Sequence, residues 1–190
     1  MGRVAVSRET LETRIRVFLE EGAIGVKAET PIPMLNHLLK TLLFYAGIGG
    51  EVYAEEVYRV DDHHVAEDVA LVLGEALRRL TAGRTIARYG WSIVSMDESL
   101  CLAAVDVSNR PGAWVELGLQ PWDVVGGLRA ENAEHFIASL ASTLRAIIHV
   151  KALRTGNTHH TIEACFKALG MALGQALRGS SRVMSIKGVV

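Results

Sequence analysis

The sequence predicts an α+β domain that is built from two similar halves. One observation is an internal repeat, because "HHVAEDVALVLGEAL" (63–77) and "HHTIEACFKALGMAL" (159–173) agree at seven of fifteen positions. The other is the order of local patterns, which runs strand, strand, helix, strand, helix in each half. Since no linker separates the halves, we expect one fused catalytic domain over 1–190 with repeats of about 1–92 and 93–190.

Strand and helix patterns follow that order in the first half. Residues 1–14 are strand-like, and "TLETRIRVFLE" (10–20) alternates apolar with charged residues, which is typical of a strand with one buried face. "PIPMLNHLLKTLLFYAG" (31–47) begins after prolines and ends at glycine, which predicts a helix. "GEVYAEEVYRV" (50–60) favours another strand before the first copy of the repeat.

The second half shows the same succession. "YGWSIVSM" (89–96), "LCLAAVDVS" (100–108) and "GAWVELGL" (112–119) are strand-like. "AENAEHFIASLASTLRAII" (130–148) has apolar residues at helical spacing, and the second copy of the repeat follows it. The sequence therefore predicts sheets with helices on one face, in two similar halves.

Both copies of the repeat have the features of a helix. Apolar residues recur at helical spacing in each copy. Gly74 and Gly170 occupy equivalent positions in the middle, where glycine costs about 1 kcal/mol relative to alanine. We therefore expect close packing of the two helices. The candidate N-caps are Asp61 or Asp62 in the first copy and Asn157 or Thr158 in the second.

Composition excludes several classes of partner. The chain has 190 residues, of which 49% are hydrophobic, and a formal net charge of −1 without a basic tract, so nucleic acid is not expected to bind. No apolar run is long enough to span a bilayer, and no membrane partner is expected. Cys101 and Cys165 are isolated within apolar runs, which predicts buried free thiols in a reducing compartment, the cytoplasm.

Two histidine pairs are the strongest functional signal. Residues four apart on a helix lie about 40° apart around its axis, whereas neighbours lie about 100° apart. His63 therefore shares a face with Glu67, while His64 points elsewhere. Imidazole and carboxylate ligands suit Mn, Fe, Co, Ni or Zn, and diverging neighbours favour two metal ions over one. The same arrangement recurs in the second copy with His159, His160 and Glu163.

Further histidines are available to complete the ligand sets. A histidine pair could also be no more than a solvated helix end, but its recurrence together with a glutamate favours metal binding. His37 and His149 are candidate ligands, and Asp62 and Asp68 are candidate acceptors that orient the imidazoles. His135 is either the repeat partner of His37 or a surface residue, and we expect a surface residue.

Basic residues near strand ends and turns suggest an anion site. Arg88 in "ARYG" (87–90) and Arg110 in "SNRP" (108–111) lie at such positions, and "SIKG" (185–188) adds Ser185 and Lys187. Together they could hold a phosphate group, although most basic residues in proteins are simply solvated.

The chain resembles imidazoleglycerol-phosphate dehydratase nearly from end to end. The resemblance includes "MDE" (96–98) and "FKAL" (166–169). The main matching segments are "RETLETRI" (8–15), "LNHLL" (35–39), "DDHHVAEDVALVLGEAL" (61–77), "ARYGWSIVSMDESL" (87–100), "AVDVSNRP" (104–111), "GNTHHTIEACFKALGMAL" (156–173) and "SIKG".

The resemblance implies two four-stranded sheets with helices packed between them, in a homo-oligomeric 24-subunit shell with metal sites at subunit contacts. It implies a hydro-lyase of histidine biosynthesis that dehydrates D-erythro-imidazole glycerol phosphate to imidazole acetol phosphate with two Mn²⁺ per active site. Either Glu12 or Glu163 would move the carbon-bound proton. The implied metal ligands are His37, His63, His64, Glu67, His149, His159, His160 and Glu163; the phosphate residues are Arg88, Arg110, Ser185 and Lys187; and the catalytic candidates are Glu12, which also lies at the substrate, Glu67, Glu163 and Asp97.

Several positions depart from the family pattern, among them the residues before Asn36, which differ from the usual Thr-Gly-Ile-x-Phe-Leu. Asn36 replaces an aspartate whose charge would orient His37, Val65 replaces threonine and Asn109 replaces glycine. Asn36 puts the metal affinity of the His37 site in question more than the reaction class. Two alternatives stay open from the sequence: another dinuclear metal-dependent enzyme that processes phosphoesters, and a non-catalytic metal-binding shell protein.

Overall fold

The computed structural model describes residues 2–186, which contain ten strands and four helices. No helix among these residues is long and apolar enough to cross a membrane. The strands are β1 (Arg3–Glu9), β2 (Thr13–Glu21), β3 (Val26–Glu29), β4 (Ile48–Glu56), β5 (Tyr89–Met96), β6 (Ser99–Asp106), β7 (Gly112–Glu116), β8 (Val124–Val125), β9 (Leu128–Arg129) and β10 (Ile147–Arg154). The helices are α1 (Pro33–Ala46), α2 (His63–Leu80), α3 (Ala130–Leu144) and α4 (Thr158–Leu177).

Two four-stranded sheets have the same strand order. The first sheet runs β1-β2-β4-β3, and the second runs β5-β6-β10-β7. In each sheet the first three strands pair antiparallel and the last strand pairs parallel with its neighbour. The predicted α+β class and the two four-stranded sheets are confirmed. The predicted division near residues 92 and 93 falls inside β5. The elements of the first half end with α2 and those of the second half begin with β5, so the boundary lies in the loop 81–88.

The helices lie between the sheets and pack in crossed pairs. Helices α1 and α2 contact the first sheet, and α3 and α4 contact the second. Helix α2 also packs against α3, and α1 packs against α4. Phe136 of α3 and Phe166 of α4 are fully buried, with ring centroids 5.5 Å apart, within one continuous apolar core. The two halves therefore share a core.

Gly74 and Gly170 permit the close approach of these crossed helices. A Cβ atom at Gly74 would lie 2.6 Å from the carbonyl oxygen of Leu140 in α3, and one at Gly170 would lie 2.6 Å from that of Leu42 in α1. Both distances are too short for non-bonded atoms. The expected close packing is present, but the main helix partner of each repeat helix is the first helix of the other half.

Helix α3 ends earlier than the sequence pattern predicts. It stops at Leu144 because Arg145 adopts a left-handed conformation with φ of 61°. The β-branched residues Ile147 and Ile148 then begin β10, which pairs with β6 and β7. His149 consequently lies on a strand. The sequence pattern also gives no clear signal for β3, which is only four residues long.

The two cysteines form a disulfide bond, so the prediction of free thiols is wrong. Cys101 of β6 and Cys165 of α4 are fully buried, and their Cα atoms are 5.1 Å apart. The bond ties the second repeat helix to its sheet. Sixty-four residues separate the cysteines along the chain, so only the tertiary fold brings them together. The cysteines therefore no longer support a reducing compartment.

Loss of the Cys101–Cys165 bond should lower the free energy of unfolding. Closure of a loop of 64 residues restricts the unfolded chain, and its loss is expected to cost about 4 kcal/mol. Denaturant titrations of wild type and of Cys101→Ala/Cys165→Ala, each with and without reductant, measure the difference. Reductant should destabilise only the wild type. Two titratable thiols in denatured, unreduced wild type would contradict the bond.

Candidate active site

One imidazole–carboxylate group lies where α4 packs against α1. On α4, the Nε2 atom of His159 is 3.0 Å from Oε2 of Glu163. From α1, the Nε2 atom of His37 is 3.0 Å from the same oxygen. The side-chain oxygen of Asn157 caps α4 by accepting the backbone N–H of His159 at 2.9 Å. The structure thus brings together three predicted ligands that come from both halves of the chain.

An equivalent group lies where α2 packs against α3. The Oε2 atom of Glu67 is 3.7 Å from Nε2 of His63, and its Oε1 atom is 3.4 Å from Nε2 of His135. The His63 and His135 rings stack with centroids 4.5 Å apart. An N–H at Nδ1 of His63 can donate to the side-chain oxygen of Asn132, 3.0 Å away, which leaves Nε2 directed at Glu67.

His135, and not His149, completes this second group. His135 lies on α3 at the position equivalent to His37 on α1, so the expectation of a plain surface residue is wrong. His149 lies on the exposed side of β10, where its ring stacks on Trp114 with centroids 4.8 Å apart. The early end of α3 explains the error, because it turns the segment that carries His149 into a strand.

The second histidine of each pair faces away from these groups, as the helix geometry predicts. The rings of His63 and His64 are inclined by 72°, and those of His159 and His160 by 88°. Each outward histidine lies beside an acidic residue of a strand-connecting turn.

Each turn places a carboxylate beside one outward histidine, but only His160 forms a hydrogen bond with it. The Nδ1 atom of His64 is 3.2 Å from Oε2 of Glu12, but the angle permits no hydrogen bond and this buried nitrogen has no other partner among residues 2–186. The Nδ1 atom of His160 is 3.2 Å from Oε2 of Glu98 and 3.6 Å from Oδ2 of Asp97. Glu98 also accepts the backbone N–H of Asn157, and this bond, together with hydrogen bonds from its own backbone N–H and from His160, lowers the pKa of Glu98 to about 2.

The remaining acids of "DDHHVAED" stabilise the scaffold. Asp61 accepts the first backbone N–H of α2 at 2.9 Å. Asp62 accepts the backbone N–H of Arg129 at 2.7 Å, where α3 begins. Asp68 is buried and accepts a hydrogen bond from the Thr13 hydroxyl. Asp62 and Asp68 thus bind a backbone amide and a hydroxyl, and not the imidazoles that the sequence analysis assigned to them.

The side chain of Asn36 binds the loop before α1 and does not orient His37. Its side-chain oxygen accepts the backbone N–H of Thr30 at 2.7 Å, and its side-chain nitrogen donates to the carbonyl oxygen of Thr30 at 3.1 Å. Only an amide can both donate and accept in this way, since an ionised aspartate has no donor. Asn36 fixes the loop before α1, and His37 is held by Glu163 instead.

Lys167 is a neighbour of the first group that the sequence analysis missed. Its Nζ atom is 3.0 Å from Oε1 of Glu163, one turn away on α4. Burial by itself would raise the pKa of Glu163, but hydrogen bonds from His37 and Lys167 outweigh it and lower the pKa to about 2. The spacing of four residues between Glu163 and Lys167 is the signal that could have revealed this contact.

None of the predicted phosphate residues that the structure describes belongs to either group. Arg88 precedes β5, donates to both carboxylate oxygens of Asp106 at 2.6 and 3.1 Å, and donates to the carbonyl oxygen of Met184 at 3.0 Å. Ser185 follows Met184 directly, and Arg110 is exposed in the loop before β7. Lys187 lies outside the described residues. Arg88 thus holds the backbone at Met184, and the phosphate role of all four residues stays a prediction.

Both imidazole–carboxylate groups have the chemistry of a metal site. The candidate ligand atoms of each group lie within 4.8 Å of one another. Two imidazoles and a carboxylate suit a first-row divalent ion such as Mn²⁺. The candidate ligand atoms of Asp97, Glu98 and His160 also lie within 4.8 Å of one another, but these residues are more exposed.

Comparisons with known proteins converge on one family. A family model described as imidazoleglycerol-phosphate dehydratase matches residues 30–173. The chain is 50% identical to the imidazoleglycerol-phosphate dehydratase of Pyrobaculum calidifontis, over 96% of this chain and 97% of that protein. Its identity to the Caldivirga maquilingensis protein of the same name is 45%, over 97% of each.

Solved structures agree with these matches. A crystal structure of IGPD from Pyrococcus furiosus in complex with (S)-C348 has a TM-score of 0.83 at 39% identity, covering 97% of this chain and all of that one. The imidazoleglycerol-phosphate dehydratase of Staphylococcus aureus has a TM-score of 0.82 at 31% identity, covering 94% of this chain and 99% of that one.

Fold and site define a class of duplicated α+β enzymes in which the halves share their candidate metal ligands. The matches extend over nearly the whole chain and agree with this class. The chain belongs to the imidazoleglycerol-phosphate dehydratase family. The predicted family and its reaction, that of a hydro-lyase in histidine biosynthesis, are confirmed.

Substitution of His135 should weaken metal binding, whereas the same substitution of His149 should not. His135→Gln removes one of the three candidate ligands of its group, and His149→Gln changes a residue on the exposed side of the second sheet. We expect a loss of at least about tenfold in Mn²⁺ affinity for one class of site in His135→Gln. Titration of metal-stripped proteins with Mn²⁺ measures this. The reverse ranking of the two variants would restore His149 as the ligand.

Proposed function

We propose that the chain dehydrates D-erythro-imidazole glycerol phosphate to imidazole acetol phosphate with two Mn²⁺ ions per active site. Family membership supplies the reaction class. The observation that carries the metal assignment is the occurrence of two groups with identical donor sets. These groups are His37 with His159 and Glu163, and His63 with Glu67 and His135.

The reaction removes a proton from a weakly acidic carbon, and a neighbouring hydroxyl leaves as water. When bound, two divalent metal ions would supply the positive charge that stabilises negative charge on the imidazole ring of the substrate. Each group offers three candidate ligands, and a bound ion would also need ligands from the substrate or from one further histidine. His64 and His160 face outward and are suited to complete the groups of neighbouring subunits.

Glu12 is better suited than Glu163 to move the carbon-bound proton. The low pKa of Glu163 makes it a weak base, and its oxygens already face His37, His159 and Lys167. The Glu12 carboxylate is about half exposed and lies beside His64. A carboxylate that is not tied to the scaffold can approach a substrate proton and then release it.

The candidate metal ligand His160 and the candidate phosphate residue Arg88 lie at opposite ends of α4. His160 is in the first turn of α4, whereas the backbone N–H of Arg88 donates to the carbonyl oxygen of Ala176 near its end. Sixteen residues of helix separate these points by about 24 Å. One small substrate cannot reach both ends. We therefore propose that each active site combines residues of different subunits in a homo-oligomeric shell of 24 copies.

An exposed apolar surface supports such an assembly. Trp91 and Ile93 of β5 and Trp114 of β7 are exposed by 68%, 61% and 57% on the second sheet. Clusters of large apolar side chains at a protein surface commonly mark contacts with other subunits. A cytoplasmic location is proposed from the biosynthetic role alone, since the disulfide bond gives it no support.

The proposed reaction separates this chain from a phosphoester-processing enzyme. Wild-type protein that has been stripped with chelator should form no ketone from imidazole glycerol phosphate, and Mn²⁺ should restore the reaction by at least about a hundredfold. The measurements are imidazole acetol phosphate and inorganic phosphate from the same samples. Phosphate release without ketone would support the hydrolase alternative, and no product with Mn²⁺ fully bound would support a non-catalytic shell protein.

Assemblies that contain two different inactive variants should recover activity if each active site combines the metal end of one subunit with the phosphate end of another. Glu163→Gln alters the metal end and Arg110→Ala the candidate phosphate end, so each protein alone should be nearly inactive. Assemblies of equal amounts of both should regain up to about a quarter of wild-type activity, because half of the subunits are intact at each end. Activity that stays at the level of the separate variants would contradict sites formed between subunits.

A further inference from the structure

Glu98 and Glu12 occupy equivalent places in the two halves. Each precedes the second strand of its sheet, β6 or β2. The next residue in each case, Ser99 or Thr13, is almost fully buried and places its hydroxyl against the repeat helix of that half. Ser99 contacts the Thr161 hydroxyl of α4, as Thr13 contacts a carboxylate of α2. The duplication has therefore placed one glutamate beside each outward histidine.

The structure holds Glu98 much more firmly than Glu12. The Oε1 atom of Glu98 accepts the backbone N–H of Asn157 at 2.6 Å, and both of its oxygens lie 3.2–3.3 Å from Nδ1 of His160. Gly156 leaves room for this approach, since a Cβ atom there would collide with the Glu98 side chain. The Glu12 carboxylate lies 3.2 Å from Nδ1 of His64 without hydrogen-bond geometry, and it has no other hydrogen bond or ion pair among residues 2–186.

We propose that Glu98 is a positioning residue that orients His160 as a metal ligand, whereas its repeat counterpart Glu12 is left free for the reaction. An N–H at Nδ1 of His160 donates to Glu98, so that Nε2 carries no proton and is presented outward to a metal ion. Carboxylates commonly orient metal-binding imidazoles in this way, and their loss typically weakens metal affinity 10- to 100-fold. This proposal rests on the proposed role of His160 as a ligand that completes a neighbouring group.

Glu98→Gln is the decisive variant because glutamine keeps an oxygen for the backbone N–H of Asn157. We expect Mn²⁺ affinity to fall roughly 10- to 100-fold at one class of site, with the same amount of bound Mn²⁺ at saturation. The melting temperature of the metal-stripped protein should stay near that of wild type. A titration in which free aqueous Mn²⁺ is measured by electron paramagnetic resonance gives affinity and stoichiometry without an activity assay.

His160→Gln provides the matched background. If Glu98 acts through His160, Glu98→Gln should change Mn²⁺ affinity by less than about twofold when His160 is already replaced. An equal loss in both backgrounds would overturn the proposal, as would an unchanged affinity in the wild-type background. A whole equivalent of Mn²⁺ lost at saturation would also overturn it, because Glu98 would then be a ligand. Failure of wild-type protein to bind Mn²⁺ would instead refute the proposed function.

Discussion

The crossed packing of helices is the constraint on which the site depends. Neither candidate metal group can form within one half, because α4 supplies His159 and Glu163 to His37 of α1, and α2 supplies its histidine and glutamate to a histidine of α3. Gly74 and Gly170 let the helix backbones approach closely enough for these contacts. Duplication therefore made an arrangement that neither repeat has alone: two equivalent ligand groups held across one shared core.

Within this frame the carboxylates of the two halves have diverged. Asp68 is buried against Thr13, but the equivalent residue in the second half is Ala164, beside the disulfide-bonded Cys165. Glu163 is held by Lys167, whereas the equivalent Glu67 has its closest polar contacts with two histidines. The pseudo-symmetric fold thus supplies equivalent positions, and local partners decide whether an acid is a ligand, a scaffold contact or a free carboxylate.

Much of this arrangement could be predicted from helical periodicity. The spacing of four residues placed His63 with Glu67 on one face and turned His64 away, and the repeat identified the second cluster. His149 lies apart from the His63 group because the left-handed residue Arg145 ends α3, a feature that apolar spacing does not reveal. The disulfide bond and the contact of Glu98 with His160 join segments about 60 residues apart, so they depend on tertiary structure.

The different directions of the two adjacent histidines can be explained by the placement of the candidate ligands in the subunit. One member of each pair faces inward to the shared group of its own chain, and the other faces outward beside a turn carboxylate. Outward imidazoles at one end and candidate phosphate residues at the other would leave an isolated subunit with two incomplete sites. Assembly would then bring the complementary ends together, which makes metal binding and subunit contact mutually dependent. On this argument the pair His63–His64 would join the metal site of one subunit to that of the next.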